Sequence, residues 1–501
     1  MAAVVRVLVI GAGLSGLAAA CHLLGDGHEV TVLEREDQVG GRAGVLLQDG
    51  YTFDTGPVVM TMPDLLARTV AAAGSNLADL LTLERLDPGY RTVHSDGTEL
   101  RVRADMADLR AEIAAVCGPS QAAGFDAFLG WLETLHETEF APFIDTNYNS
   151  LLDLLAQPRA AARLLRLGAF GTLDGAVRRF FTDPRLHKVF SFQALYAGVS
   201  PRQARALLAV IAYMDTVRGV WFPRGGMHAI PRALAEAVTR AGGMIALEQS
   251  VTGLERDAGG AVRGVRLADG SALSADAVVC TLDLPVAYER LLRDLTPPRT
   301  ATRGAYSPSC VVWHVGVRGA LRPEVAHHNI HFGADWNGAF TALIRDRRLM
   351  PDPSRLVTIP SLSDATLAPA QGHSLYVLEP VPHLDADLDW RDEGPRMRDR
   401  LLGFLDTSGY PSDIVTEHLV TPLDWAASGL ARGTPFALAH TFRQSGPLRP
   451  SNVDRRVPGL VFAGSGTQPG VGIPMVLVSG RLAAQRVAEY AVRRTSRAVP
   501  V

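Results

Sequence analysis

The chain opens on a short apolar run, residues 5–10 (VRVLVI), which has the length and composition of a buried strand. Gly11-Ala12-Gly13-Leu14-Ser15-Gly16 follows, and residues 17–24, rich in Ala and Leu, read as a helix. Gly25-Asp26-Gly27-His28 turns the chain. Residues 29–33 (EVTVL) read as a second strand with Glu34 at its end. Together these make a βαβ unit of about 30 residues, the size a parallel crossover needs. Strand-like patterns return at residues 243–251 (GMIALEQSV), 262–267 and 277–280, with a Gly259-Gly260 turn between them. A further strand is predicted at residues 460–463, ahead of Gly464-Ser465-Gly466, and a helix from about 475 to 493. Helical periodicity dominates residues 105–220, and short strands mix with many prolines over 307–439. Neither an internal repeat nor a low-complexity tract interrupts this order.

The fold expected is α/β: a Rossmann-like nucleotide domain built from separated segments, with an α+β substrate region inserted. The segments are residues 1–75, 221–300 and 450–501. A helical substrate region at 76–220 and a sheet-containing one at 301–449 lie between them.

A length of 501 residues exceeds what one compact core serves. The net charge of −3 argues against a nucleic-acid partner, which calls for a basic excess. Cys21, Cys117, Cys280 and Cys310 are widely spaced and form no CxxC pair, so reduced thiols are expected in place of a disulfide framework or zinc. Only Met1–Ala3 precede the first apolar run, so no signal peptide is expected. No window of about 18 uncharged apolar residues suggests a spanning helix. These features point to a cytoplasmic protein.

GAGLSG matches G-x-G-x-x-G, and its place between a strand and a helix gives the match meaning. Gly11 permits the tight turn, Gly13 lets backbone approach a pyrophosphate, and Gly16 allows close helix–strand packing. The helix N-terminus offers free N–H groups to phosphate. Glu34 suits unphosphorylated ribose hydroxyls and repels a 2′-phosphate. The next residues run on into Gly40-Gly41-Arg42. That extension suits a longer dinucleotide, FAD, better than NAD, with Arg42 directed at pyrophosphate or the flavin edge.

With these residues in place, VIGAGLSGLAAACHL and VTVLEREDQVGGRAG resemble the two-dinucleotide-motif flavoproteins, among them amine oxidases, protoporphyrinogen oxidase and carotenoid desaturases. Residues 51–60 (YTFDTGPVVM), 219–230 (GVWFPRGGMHAI) and 461–475 (VFAGSGTQPGVGIPM) resemble bacterial phytoene desaturases more narrowly. So do HHNIHFGADW at 327–336 and LYVLEPVPHL at 375–384. The resemblance implies that Gly11, Gly13, Ser15, Gly16, Glu34, Arg35, Gly41 and Arg42 hold the ADP moiety. Val251, at a strand end, meets adenine through its backbone. Gly464, Gly472, Ile473, Pro474 and Met475 surround the ribityl chain and isoalloxazine. Ser465 and Gln468 depart from the Ala and His common in the family, which puts in doubt any mechanism needing a histidine there.

What the resemblance implies is an FAD-dependent carotenoid desaturase. Its substrate is an apolar polyene, and its reduced flavin passes electrons to an acceptor such as oxygen or a quinone. Flavin N5 takes a hydride from an allylic carbon and a neighbouring proton leaves, with no side chain assigned as base. Alternatives within the fold are a ketolase-like oxidase, a methoxycarotenoid or C30 desaturase, an amine oxidase, and a non-catalytic prenyl-binding protein. A bilayer substrate requires contact with a membrane surface, at the inner face for a cytoplasmic protein. Arg159, Arg163 and Arg166 fall on one helical face that could supply it. His327 and His328 are expected on opposite strand faces and make no metal set. Asp54 and Asp424 read as turn or capping residues.

Overall fold

Five short strands carry the N-terminal motif. In the computed structural model, which describes residues 4–498, their order is Leu460–Phe462, Ala277–Cys280, Arg6–Ile10, Glu29–Leu33 and Met244–Ala246. All pair in parallel. A parallel sheet of this kind is covered on both faces, and alternate residues of the first strand divide between two cores. Val7 and Val9 pack with the helices Leu14–Gly25, Ala229–Arg240 and Ile473–Ala498. Leu8 and Ile10 pack with Leu284 and Leu291 of a helix, and with Val262 and Val265 of a small antiparallel sheet. Close crossing of Leu14–Gly25 and Ile473–Ala498 depends on Gly480, where a Cβ would lie 2.6 Å from the Ser15 carbonyl oxygen.

One expected strand, residues 243–251, is really two. The first ends at Ala246, and Val251 opens the strand Val251–Arg256 of the antiparallel sheet. The break is pinned at its middle. The Glu248 and Gln249 amides donate to the Glu36 and Glu34 carbonyls at 3.0 and 2.7 Å, pulling the chain off the sheet edge.

A second sheet has seven strands, ordered Asp413–Val420, Ser309–Arg318, Gly372–Val381, Arg355–Thr358, His328–His331, Tyr90–Val93 and Glu99–Val102. Two of these are ten residues long, longer than the proline content suggested. Val311, Trp313, Val315 and Val317 face the helix Trp390–Ser408, whereas Cys310 and Val312 face the other way with Tyr376 and Val58. The last two strands precede residues 105–220, where helical periodicity dominates. They form a hairpin around Asp96-Gly97 that reaches the sheet by parallel pairing with His328–His331. Helix follows at Met106, where that periodicity starts, and Asp105 accepts from the Ala107 and Asp108 amides. From there to Val217 the chain is a series of helical pieces, of which Pro119–Glu139 is the longest.

Candidate active site

A cavity of about 1420 Å³ is bounded by the parallel sheet, the seven-stranded sheet and the helical region. Single-ligand pockets usually enclose about 300–1,000 Å³, so there is room here for more than one large molecule. Its two ends differ in chemistry.

At one end the first strand delivers the glycine turn. Gly11, Gly13 and Ser15 line the wall there, as do Glu34, Arg35, Gly41, Arg42 and Val251. Gly16 is not on the wall. A Cβ on it would lie 2.0 Å from the Gly11 carbonyl oxygen, so it serves the close helix–strand contact. Glu34 Oε2 accepts from the Ala12 amide at 2.7 Å and Oε1 from the Glu36 amide at 3.1 Å. Each oxygen retains a lone pair for a ribose hydroxyl. The Gly40-Gly41-Arg42 stretch folds back on the turn. Gly13 bridges to Gly40, and the Gly40 amide donates to the Ala12 carbonyl at 2.9 Å. Arg35 reaches the Ser428 carbonyl at the cavity edge and pairs with Glu36.

Arg42 pairs with neither Glu36 nor Asp37. It donates to Ser465 Oγ at 2.7 Å and to the Pro435 carbonyl at 3.1 Å, joining the N-terminal motif to the C-terminal one. Burial lowers its pKa, and nearby Asp283 opposes that. Gly464, Gly472, Ile473, Pro474 and Met475 line the middle of the same cavity. Their loop is held from behind by Arg449, which the sequence reading missed. Its guanidinium is wholly buried and donates to the carbonyls of Thr467, Ser465, Leu438 and Gln444 at 2.8, 2.5, 3.2 and 3.3 Å. Burial pushes its pKa down to about 10. Gln468 is fixed too: its Oε1 accepts from the Tyr148 amide and its Nε2 donates to the Arg449 carbonyl, both at 3.4 Å.

The other end is apolar. Phe143, Phe192, Met214, Ile330, Phe340 and Leu356 are among its lining side chains. Two carboxyls missed in the sequence, Glu139 and Asp215, share this wall. Burial pushes them up to about 8 and about 7 respectively. Asp215 is a lone acid in an apolar stretch, IAYMDTV, whereas Glu139 follows Glu133, His136 and Glu137 and reads as one more polar residue of a helix.

Asp54 and Asp424 have structural work. Asp54 accepts from the His228 amide at 3.2 Å and clamps the Gly226–His228 turn; burial pushes it up to about 6. Asp424 forms a capping box with Thr421. His327 and His328 do not point apart, because His327 precedes the strand; their rings meet edge to face at 4.4 Å. His327 pairs with Ser363 and His328 with Thr358. All four cysteines are free. Among the described residues no helix is long and apolar enough to cross a membrane.

The residues around the cavity fit a bound flavin dinucleotide. A glycine turn, the Glu34 carboxylate at the end of the second strand and a half-buried Arg42 meet a second glycine loop, Gly464–Met475, at the sheet's carboxyl edge. Known proteins agree with that fit. The family model described as flavin containing amine oxidoreductase matches residues 14–488. A phytoene dehydrogenase of Streptomyces griseus is 50% identical over 99% of this chain and 97% of its own. A zeta-carotene-forming phytoene desaturase of Myxococcus xanthus is 39% identical over 97% of this chain and 94% of its own. Among solved structures, cyclohexylamine oxidase from Brevibacterium oxydans superposes with a TM-score of 0.59 at 18% identity, covering 97% of this chain and 99% of that one. The chain therefore belongs to the flavin-containing amine oxidoreductase family, in the branch that contains the phytoene desaturases.

Proposed function

We propose that the protein is an FAD-dependent carotenoid desaturase acting on phytoene or a closely related polyene. One observation carries the reading: a dinucleotide cradle and a long apolar pocket are parts of one cavity. A hydrocarbon substrate has no group for a charged side chain, so shape and apolar contact must select it. FAD is favoured over NAD by the Gly40-Gly41-Arg42 clamp and by the second glycine loop, which extend the cradle beyond an ADP moiety. Bound there, the flavin supplies the two-electron acceptor. The chain's residues orient both partners and exclude water. An acceptor such as oxygen or a quinone would reoxidise the cofactor.

The apolar end of the cavity opens among exposed hydrophobic side chains. Leu151, Phe170, Phe442 and Leu448 belong to both the cavity wall and the exposed surface, and Leu152, Leu155 and Leu165 extend the patch. Arg159, Arg163 and Arg166 are exposed on the helix Pro158–Arg166 within it. A patch of this chemistry suits an anionic bilayer surface, from which the substrate would enter directly. This reading makes the protein a peripheral one on the inner face of the membrane.

The decisive experiment is expression in a phytoene-accumulating host, with pigments separated by chromatography. More desaturated carotenoids are expected, and unchanged phytoene would overturn the assignment. For the membrane face, the protein should sediment with anionic vesicles. L152D/L155D/L165D should abolish that while leaving flavin content unchanged. Equal sedimentation of the variant would remove the patch from its role.

A further inference from the structure

An apolar cavity that takes a hydrocarbon has no evident use for a buried carboxyl. Yet Asp215 lies on its wall, 4% exposed, in a π-helical turn, Tyr213–Val217. Such turns break regular helix bonding and recur at functional sites. Two neutral groups hold the carboxyl. Gln193 Nε2 donates to Oδ2 at 3.2 Å and Thr216 Oγ1 to Oδ1 at 3.2 Å. Gln193 is itself buried, donates to the Val189 carbonyl at 3.3 Å, and is absent from the cavity wall. The amide therefore sits behind the carboxyl. Neutral donors fix its direction without cancelling its charge. Burying a charge on such terms costs several kcal/mol, roughly, which calls for a compensating use.

Desaturation supplies that use. Two C–H bonds on adjacent carbons break. One hydrogen would leave with its bonding pair, which a bound flavin would accept. The pair of the other becomes the new π bond, and its proton needs an acceptor that hydrocarbon walls cannot provide. We propose that Asp215 is that acceptor, a catalytic residue whose carboxylate takes the proton while Gln193 and Thr216 position it. This rests on the desaturase reading. Later loss of the proton to water, after product leaves, restores the carboxylate.

Glu139 is the competing candidate on the same wall, and its Oε2 has no hydrogen-bond partner. Burial pushes both carboxyls up, Glu139 to about 8 and Asp215 to about 7, and orientation separates them: Gln193 and Thr216 aim the Asp215 oxygens, whereas Glu139 Oε2 has no donor to fix it. A general base works best when it titrates near the working pH. Near the turn lie Tyr90, Tyr196 and Tyr213, all shifted up by burial, His136, stacked on Tyr213 and shifted down, and the charged Arg218, Glu133 and Glu137 that face Tyr213.

The test uses the flavin-loaded protein and phytoene carried in phosphatidylglycerol/phosphatidylcholine vesicles. Flavin bleaching is followed anaerobically in a single turnover across pH. The wild-type rate should rise with pH through an apparent pKa of about 7. D215N should lose about 100-fold or more and lose that rising limb while keeping its flavin. E139Q should keep the limb. Q193L, lacking a donor to the charged form, should move it to higher pH. A readout without turnover is the infrared carboxyl band of the substrate-free holoprotein. A band titrating near the same pH should vanish in D215N. A D215N protein that turns over within about twofold of wild type, or keeps the pH limb, overturns the proposal alone. A wild type that converts no phytoene overturns the desaturase reading and the proposal with it.

Discussion

Single carboxylates in this molecule differ in what surrounds them, and their expected behaviour differs accordingly. Glu34 holds the Ala12 and Glu36 amides and faces the cavity. Losing a hydrogen bond to a charged group costs about 1.5–3 kcal/mol. Glu34→Ala should therefore weaken flavin retention by roughly 10- to 100-fold, measured by dialysis and absorbance. Retention equal to wild type would remove its role. Glu139 is wholly buried, and its folded pKa of about 8 stands above the ordinary 4.5. Below about pH 4.5 both the folded and unfolded forms are protonated and the group costs nothing. As pH rises towards 8 the unfolded chain releases its proton and the folded one does not, so stability falls, by ~3–5 kcal/mol over that window. Glu139→Gln should leave the melting temperature nearly unchanged at about pH 5 and raise it at about pH 8. An equal shift at both values would contradict the assignment.

At the scale of elements, the crossing of Leu14–Gly25 with Ile473–Ala498 places the two glycine loops against each other. Gly480 permits it: an added Cβ would lie 2.6 Å from the Ser15 oxygen and 2.7 Å from the Ala18 Cβ. Gly480→Val should push the helices apart at a cost of ~1–3 kcal/mol and loosen both loops. Lower denaturant midpoints together with poorer flavin retention would be the signature. If only stability falls, the coupling of the crossing to the site fails. This level also explains what the sequence could reveal. The first βαβ unit was legible because its strand, glycines, helix and acid are close in sequence and each has a local reason. The hairpin at Tyr90–Val93 and Glu99–Val102 was overlooked although Asp96-Gly97 is a recognisable turn signal; its place in the sheet depends on His328–His331, more than 200 residues away. Arg449 and Gln193 carried no signal at all. Their partners, Thr467, Ser465 and Asp215, are set by packing between distant segments.

For the whole molecule, the decisive property is that one cavity serves two ligand chemistries, with a polar end made by the parallel sheet and an apolar end made by the helical region and the second sheet. If that division is correct, each end can be damaged without the other. Leu208 lines the apolar end, 9% exposed, far along the chain from both glycine loops. Leu208→Trp adds volume where a polyene would lie. Overpacking of ~1–3 kcal/mol on bound substrate would lower pigment formation by roughly 10- to 100-fold. Flavin content should not change, because none of the cradle residues is touched. Glu34→Ala should do the reverse at low cofactor: flavin is lost first, and added FAD restores pigment formation. Added FAD should do nothing for Leu208→Trp. The pair is read by flavin absorbance on purified protein and pigment chromatography in the same host. Loss of flavin from Leu208→Trp would mean that the two ends are mechanically one site. Full pigment formation by that variant would mean that the polyene does not pass this wall, and the apolar half of the cavity would need another occupant.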